Sequence, residues 1–178
     1  MTASITTYRV RPPAEKILGW KEILEVRASY KSSGCRVVWT NGCFDMLHAG
    51  HVSNLQAARS LGAALIVGIN GDSSVRALKG PNRPVVNEHE RARMVAALEC
   101  VDYVVALDTI TWDHQLAELK PDVYCKGSEY SSPDGPRSSE HATVEAYGGQ
   151  IVYVPMVEGV STTDLIDRIR QLDQGTQK

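Results

Sequence analysis

Short apolar runs alternate along the chain with segments in which apolar residues have helical spacing. The apolar runs lie at residues 35–41, 63–69, 101–106, 122–125 and 151–154. The run at 63–69 is continuously apolar, which is typical of a strand buried on both faces of a parallel sheet. The alternation predicts an α/β fold, with a Rossmann-like open parallel sheet of five strands and helices on both faces.

The segments between these runs predict helices, because their apolar residues recur every three or four positions. The helices are expected at 14–31, 50–61, 73–79, 87–98, 111–119, 139–147 and 161–172. A single domain is predicted over 14–172, after an extended lead-in at 1–13 and before a polar tail at 173–178. The segment 128–139, rich in serine and proline, is the one long irregular stretch, and loops of that length in compact domains are usually functional or mobile.

Polar and glycine-rich residues follow four of the predicted strands. These strand ends are Asn41-Gly42, Asn70-Gly71-Asp72, Lys126-Gly127 and Gly159-Val160-Ser161. In an open parallel sheet the carboxyl ends of the strands lie at one edge, and ligands bind there near the reversal of strand order. The sequence therefore predicts a ligand site that these strand ends share.

The most specific candidate for a functional motif is the sequence His48-Ala-Gly-His51, which closely follows the end of the first strand. Two histidines three positions apart lie on the same side of the first turn of a helix. A helix N-terminus attracts phosphate, and Gly50 would let a phosphate approach the backbone. Imidazole N–H groups would then stabilise charge on a transferring phosphate. A metal site is the competing interpretation, but apart from the nearby Cys43 and Asp45 no second cluster completes a tetrahedral set.

Composition and charge exclude several classes of partner. The chain has 178 residues and a net charge of −2, so it lacks the strongly basic balance typical of nucleic-acid binding. No apolar segment reaches the length of a signal-peptide core or a membrane span, so a cytoplasmic protein without a membrane partner is expected. The four cysteines, Cys35, Cys43, Cys100 and Cys125, show no zinc-binding spacing and are expected to be reduced.

The stretch from Thr40 to His51, Thr-Asn-Gly-Cys-Phe-Asp-Met-Leu-His-Ala-Gly-His, resembles the signature of the cytidylyltransferase-like nucleotidyltransferases, whose hallmark is His-x-Gly-His. Ser161-Thr-Thr163 resembles the second signature of that superfamily. Within it, the chain is most similar to the D-glycero-β-D-manno-heptose 1-phosphate adenylyltransferases. The further segments that carry this likeness are 68–72, 74–80, 83–84, 100–102, 121–122, 126–127 and 148–149. The resemblance extends over about residues 15–172.

The resemblance implies that an oxygen of a sugar 1-phosphate attacks the α-phosphorus of a nucleoside triphosphate and expels pyrophosphate. It assigns catalysis to His48, His51 and Lys79. The nucleotide-binding residues that it implies are Asn41, Gly42, Cys43, Phe44, Gly50, Arg83, Arg91, Lys126, Ser161 and Thr162. The residues that it implies on the acceptor side are Asp45, Asn70 and Asp72. Taken by themselves, the two hydroxyl residues are equally explained as a helix cap, and the cations as solvated surface charges.

ATP is the implied co-substrate, with CTP as the alternative. Mg²⁺ is expected to be held by phosphate oxygens and water, with no metal ligand among the site residues. The implied partners are small-molecule substrates, a second copy of the chain in a homodimer, and a separate sugar kinase, because many relatives are fused to one. Ser128-Glu-Tyr130 stands where the relatives carry Gly-Asp-Tyr, so the acceptor stays open.

Two other functions fit the same sequence. A cytidylyltransferase acting on glycerol 3-phosphate or another polyol phosphate would carry the same signatures. A catalytically silent nucleotide-binding module of this fold would bind nucleotide without releasing pyrophosphate. In that module, replacement of His48 or His51 by alanine would leave the function intact.

Overall fold

The computed structural model describes residues 11–131, 138–155, 157 and 159–174. These residues form a five-stranded sheet in which every pair of neighbouring strands is parallel. The strands are β1 (Val37–Gly42), β2 (Ala64–Asn70), β3 (Tyr103–Leu107), β4 (Val123–Gly127) and β5 (Gln150–Val154). Their order across the sheet is β3-β2-β1-β4-β5. This arrangement confirms the predicted α/β fold.

Helices connect the strands. They are α1 (Pro13–Lys16), α2 (Trp20–Ser32), α3 (Ala49–Arg59), α4 (Asp72–Lys79), α5 (Glu88–Ala96), α6 (Asp113–Leu119), α7 (Ser138–Ala146) and α8 (Thr162–Gln174). A 3₁₀ turn, Ser128–Tyr130, directly follows β4. Asn87 caps α5, because its side-chain oxygen accepts a hydrogen bond from the N–H of Glu90 and its amide donates to the Glu90 carboxylate.

The strand order reverses at β1, which pairs with β2 on one side and with β4 on the other. β2 is buried along its whole length, as its apolar run predicts, because it lies between β1 and β3 and under helices on both faces. The carboxyl ends of β1 and β4 therefore border the crevice in which open α/β sheets bind ligands.

Two apolar cores lie on the opposite faces of the sheet. The first contains Leu55 and Ala58 of α3 and Ala92, Val95 and Ala96 of α5. The second contains Ile23 of α2, Leu116 and Leu119 of α6 and Val144 of α7, together with Trp39 and Trp112. The helices thus cover both faces, which fixes the sheet as the rigid layer from which the strand ends project.

The helix predicted at 14–31 is interrupted in the structure. Ile17 pairs with Val104 in an isolated parallel bridge, and the N–H of Leu18 donates to the Val104 carbonyl over 2.9 Å. Because β3 is an edge strand, its outer polar groups need partners, and this short extended stretch satisfies one of them. The second part of the helix, α2, begins after Gly19, whose N–H donates to the Glu22 carboxylate.

Parts of the predicted boundaries lie outside the described residues. The lead-in predicted at 1–13 falls there up to residue 10, and α1 already begins at Pro13. Of the tail predicted at 173–178, only the end of α8 is described. Residues 132–137 of the irregular segment also fall outside. Within the described part of the chain, no helix is long and apolar enough to cross a bilayer.

Candidate active site

A cavity of about 490 Å³ lies at the carboxyl edge of the sheet. Most of the residues predicted from the sequence line it, namely Asn41, Gly42, Cys43, Phe44, Asp45, His48, Gly50, His51, Lys79, Arg83, Lys126, Ser161 and Thr162. They come from the end of β1, the turn into α3 and its first residues, the end of α4 and the loop after it, the end of β4 and the start of α8. The strand ends therefore converge, as the parallel sheet requires.

The backbone of the turn between β1 and α3 sets the geometry of this cavity. Phe44 and Met46 have φ angles of 49° and 56°, in the left-handed region that residues with side chains seldom adopt. The turn delivers His48 to the N-cap position of α3. There Nδ1 of His48 accepts a hydrogen bond from the N–H of His51 over 3.4 Å.

The two imidazole rings are stacked, with centroids 3.8 Å apart and 23° between their planes. Because Nδ1 of His48 accepts a backbone N–H, the proton of the neutral ring lies on Nε2. A Cβ at Gly50 would lie 3.1 Å from this ring and 3.4 Å from the Val160 carbonyl oxygen. The glycine between the histidines therefore makes room for the ring of His48 itself.

Both histidines are held in the neutral form. Burial, assisted by the neighbouring His48, lowers the pKa of His51 to about 4, and Asp45 opposes this only partly. Burial also lowers the pKa of His48, against the opposing effect of the Asp164 carboxylate. Nδ1 of His51 is buried and has no hydrogen-bond partner within the described structure. The pair therefore offers neutral imidazoles to a ligand, and a bound phosphate would raise their affinity for protons.

The depressed pKa of His51 predicts a pH-dependent stability. In the unfolded chain this histidine takes up a proton near pH 6.5, but in the folded chain only near pH 4. The free energy of unfolding should therefore decrease by roughly 3 kcal/mol as pH falls through this window, since a tenfold change in proton affinity corresponds to about 1.4 kcal/mol. Urea unfolding at a series of pH values should show a smaller decrease in His51→Asn. An equal decrease in both proteins would contradict the prediction.

Asp45 holds the loop after α4 against the histidine-bearing turn. Its carboxylate accepts hydrogen bonds from the N–H groups of Val85 and Val86 and from Nε of Arg83, which lies 2.6 Å away. Burial alone would raise the pKa of Asp45, but the hydrogen bonds and the guanidinium charge outweigh burial and lower it. Both carboxylate oxygens are thus occupied, while the terminal nitrogens of Arg83 form no hydrogen bond within the described residues.

Ser161 and Thr162 hold the start of α8. Oγ of Ser161 accepts the N–H of Asp164 over 3.1 Å and donates to its carboxylate over 2.7 Å, which confirms the helix cap. Oγ1 of Thr162 donates to the carbonyl oxygen of Asp45 over 2.8 Å. This bond ties the N-terminus of α8 to the turn that carries the histidines.

Three cationic side chains line the cavity. Lys126 is buried at the end of β4, where Nζ donates to the Asn41 carbonyl oxygen over 2.7 Å and lies 5.2 Å from the centroid of the Tyr130 ring. Arg83 is fixed by Asp45. Lys79, the last residue of α4, is exposed and makes no ion pair within the described residues. Among the described cations of the cavity, Lys79 is therefore the one that is free to follow a bound polyphosphate.

Three predicted residues, Asn70, Asp72 and Arg91, are not part of the cavity wall. Arg91 has no exposed surface, and its guanidinium donates to two backbone carbonyls and to the Asp72 carboxylate. Asn70 is also fully buried and donates to the Thr109 carbonyl. Within the described structure these three residues lie outside the cavity lining, and the hydrogen bonds of Asn70 and Arg91 hold neighbouring loops together.

Some wall residues had not been identified from the sequence. Ile110 and Thr111 follow β3, and residues after the third strand are expected at the same edge of the sheet as those after the other strands. Glu129 and Tyr130, which the sequence analysis placed beside the acceptor without assigning them a role, also line the cavity, in the 3₁₀ turn after β4. Their position directly after Lys126-Gly127, a predicted strand end, indicated that they lie close to the site.

Glu140 supports this wall from behind, and no sequence pattern near it indicated this role. Its fully buried carboxylate accepts hydrogen bonds from the N–H of Trp112, over 3.1 Å, and from the hydroxyl of Tyr124. It thereby joins the loop after β3, strand β4 and helix α7. Its partners are 28 and 16 positions away in the sequence, which no periodic pattern reveals.

The described residues contain no group of three or more His, Cys, Asp or Glu side chains that could hold a metal ion. Two carboxylates line the cavity, and one of them, Asp45, is occupied by protein donors. The other, Glu129, is exposed. This donor set fits a divalent cation that arrives with a polyphosphate and keeps its waters.

A parallel sheet that reverses its strand order beside a histidine-bearing helix N-terminus and several cations is a Rossmann-like fold with a site suited to anions at the reversal of strand order. The sequence agrees over most of its length. Residues 39–168 match the Cytidylyltransferase-like family, and the chain belongs to that family.

Bifunctional proteins named HldE are similar to this chain in sequence. The bifunctional protein HldE of Trichlorobacter lovleyi is 45% identical over 159 residues, which are 89% of this chain and 32% of that protein. HldE of Geobacter sulfurreducens is 49% identical over 142 residues, 80% of this chain and 28% of the relative. The chain thus spans about a third of the length of these curated relatives.

Solved structures share the fold. The lipopolysaccharide core biosynthesis protein from Thermoplasma volcanium superposes with a TM-score of 0.57 at 25% identity, over 70% of this chain and 98% of that chain. Pantoate-beta-alanine ligase from Francisella tularensis has the same TM-score of 0.57 at 14% identity, over 91% of this chain and 79% of the other. The second likeness concerns the fold alone.

Proposed function

We propose that this chain transfers AMP from ATP to D-glycero-β-D-manno-heptose 1-phosphate, releasing pyrophosphate and forming an ADP-sugar. The observation that carries the proposal is the stacked, neutral pair His48 and His51 at the N-terminus of α3. The pair lies in a cavity that Lys79, Arg83 and Lys126 also line, so donors and positive charge surround a space suited to several phosphates.

The proposed reaction is a direct displacement. An oxygen of the sugar phosphate forms a bond to the α-phosphorus while the bond from this phosphorus to the bridging oxygen breaks, and pyrophosphate leaves with that electron pair. Because no covalent intermediate with the protein is needed, the protein has to hold two anions in line and offset their repulsion. Cys43, although it lines the cavity, has no role as a nucleophile in this scheme.

The position of each residue in the cavity indicates which part of the substrates it binds in this proposal. Nε2–H of His48 and the imidazole of His51 donate to the charge that develops on the transferring phosphate, and the free N–H groups at the start of α3 add to it. Lys79 and the terminal nitrogens of Arg83 bind the departing pyrophosphate. Mg²⁺ belongs to the nucleotide substrate in this proposal, where it would neutralise part of the triphosphate charge.

The identity of the acceptor rests on the relatives. The segments that resemble heptose 1-phosphate adenylyltransferases span nearly the whole chain, and the relatives named HldE are 45% and 49% identical to it. The structural neighbour from Thermoplasma volcanium is described as a protein of lipopolysaccharide core biosynthesis. A sugar kinase is the proposed source of the sugar 1-phosphate.

A substrate panel tests the proposal. ATP, CTP, GTP and UTP are each combined with D-glycero-β-D-manno-heptose 1-phosphate, glucose 1-phosphate and glycerol 3-phosphate, and pyrophosphate release is measured. We expect the highest kcat/KM with ATP and the heptose phosphate, at least roughly tenfold above the other pairs. Turnover confined to CTP and glycerol 3-phosphate would identify the cytidylyltransferase alternative, and nucleotide binding without any pyrophosphate release would identify the silent module.

A further inference from the structure

Asn41, the fifth residue of β1, has an unusual set of hydrogen bonds. It lines the cavity although only 4% of its surface is exposed. Its backbone carbonyl accepts Nζ of Lys126 over 2.7 Å, and its side-chain oxygen accepts Nε1–H of Trp39 over 3.2 Å. Its side-chain nitrogen, Nδ2, is buried and has no hydrogen-bond partner among the residues that the structure describes.

The indole of Trp39 decides which way the Asn41 amide points. An indole N–H can only donate, so the amide must turn its oxygen toward Trp39 and its NH₂ group away from it. Residues 39 and 41 lie on the same face of β1, because side chains alternate along a strand. The amide orientation therefore follows from the chemistry of the donor and does not depend on how the two amide atoms are assigned.

Gly68 makes this contact sterically possible. It is the residue of β2 that pairs with Asn41, and a Cβ there would lie 2.5 Å from the Trp39 ring and 2.9 Å from the Trp112 ring. The absence of a side chain at 68 lets the indole lie across the neighbouring strand. Trp39 is fully buried and packs edge to face against Trp20 and Trp112, so the ring is fixed by its surroundings.

A buried donor without a partner is costly, and such groups are rare in folded proteins. The NH₂ group of Asn41 can be satisfied only by an acceptor, and the substrates of the proposed reaction bring phosphate oxygens into a cavity lined by His48, His51 and Lys126. We propose that the Asn41 amide, oriented by Trp39, donates a hydrogen bond to a phosphate oxygen of bound substrate. This inference rests on the proposed function, and it makes Trp39 a positioning residue.

A double-mutant cycle tests it, with kcat and KM measured for ATP and for the heptose phosphate in Trp39→Phe, Asn41→Ala and the double variant. Asn41→Ala should lower kcat/KM roughly 10- to 100-fold, the range for a hydrogen bond to a charged group. Trp39→Phe keeps an aromatic ring and removes the N–H, so it should lower kcat/KM severalfold in the wild-type background. In the Asn41→Ala background it should have no further effect, because there is no amide left to orient.

The kinetic constants also locate the phosphate. A rise in KM for ATP alone assigns the bond to the triphosphate, and a rise in KM for the heptose phosphate alone assigns it to the acceptor. Equal losses in kcat and kcat/KM assign it to the transferring group in the transition state. Trp20→Phe is the matched control: Trp20 also packs edge to face against Trp39, but its N–H donates to the Glu118 carboxylate, so this variant should keep wild-type kinetics.

Two results would overturn the inference. One is an equal loss from Trp39→Phe in both backgrounds, which would show that the indole acts through packing alone. The other is a kcat/KM for Asn41→Ala within twofold of wild type. Calorimetric affinities for ATP and for the heptose phosphate separate this inference from the proposed function. If wild-type protein binds either ligand but transfers nothing, the reaction is wrong, and the affinities of the same variants still decide the role of Asn41.

Discussion

Replacing His48 with asparagine is expected to lower kcat for pyrophosphate release by about 10²- to 10³-fold, the usual cost of one lost donor to transition-state charge. The free energy of unfolding should change little. Asparagine is among the best N-cap residues, and its side chain can accept the same N–H of His51 that Nδ1 of His48 accepts now. Steady-state kinetics at saturating substrates and urea unfolding of the same preparation measure the two quantities.

Two further variants complete this experiment. His48→Ala removes both the imidazole and the cap, so it should lose activity to a similar extent and also lose about 1 kcal/mol of stability. His114→Asn alters an exposed histidine of α6 and should leave kcat unchanged. Wild-type kcat in His48→Asn would show that the imidazole takes no part in the transfer.

Replacing Arg91 with methionine is expected to lower the free energy of unfolding by about 3–5 kcal/mol, because it leaves the partners of a buried charge without their donors. The guanidinium has no exposed surface and lies 2.7 Å from the Asp72 carboxylate, and it also donates to the carbonyl of Cys43. A methionine fills much of the same volume but donates nothing. Urea unfolding at neutral pH measures the loss.

The Michaelis constants of the same variant distinguish a residue that supports the cavity wall from one that contacts the nucleotide. If Arg91 only supports the wall, KM for ATP per folded molecule should stay within a few-fold of wild type. If it bound the triphosphate, as the resemblance implied, KM would rise strongly and the stability would change much less. Arg93→Met, at an exposed position of the same helix, should change the free energy of unfolding by no more than about 0.5 kcal/mol.

These variants address one structural arrangement, in which the β1–α3 turn is held from three directions. Arg91 donates a hydrogen bond to the carbonyl of Cys43, and the loop after α4 donates to the carboxylate of Asp45. Thr162 donates to the backbone carbonyl of Asp45. The turn contains two residues with left-handed backbone, which is a conformation that local preferences oppose. Contacts from distant segments therefore keep the histidines in place.

Most of the fold followed from periodicity. The continuous apolar run at 63–69 predicted the buried central strand, and the alternation of strands and helices predicted the parallel sheet. Periodicity failed at 14–31, where the apolar spacing of one helix continues across Leu18 and Gly19 although the chain is extended there. The reason is that β3 is an edge strand, and its carbonyl oxygen at Val104 accepts a hydrogen bond from the N–H of Leu18. The spacing of apolar residues within 14–31 cannot reveal a hydrogen-bond partner at residue 104.

The sequence by itself determined which strand ends carry polar residues and which short motif begins α3, because spacing and residue type are local properties. It could not separate a cation that faces the cavity from one that supports it, since Lys79 and Arg91 are both basic residues of short helices. Only the tertiary structure decided that Lys79 is exposed beside the cavity while Arg91 is buried behind it. The same holds for the Asn41 amide, whose direction depends on an indole on its own strand and on a glycine across the sheet. Burial and hydrogen-bond partners arise from segments that are distant in sequence, and they set the chemistry that each side chain can perform.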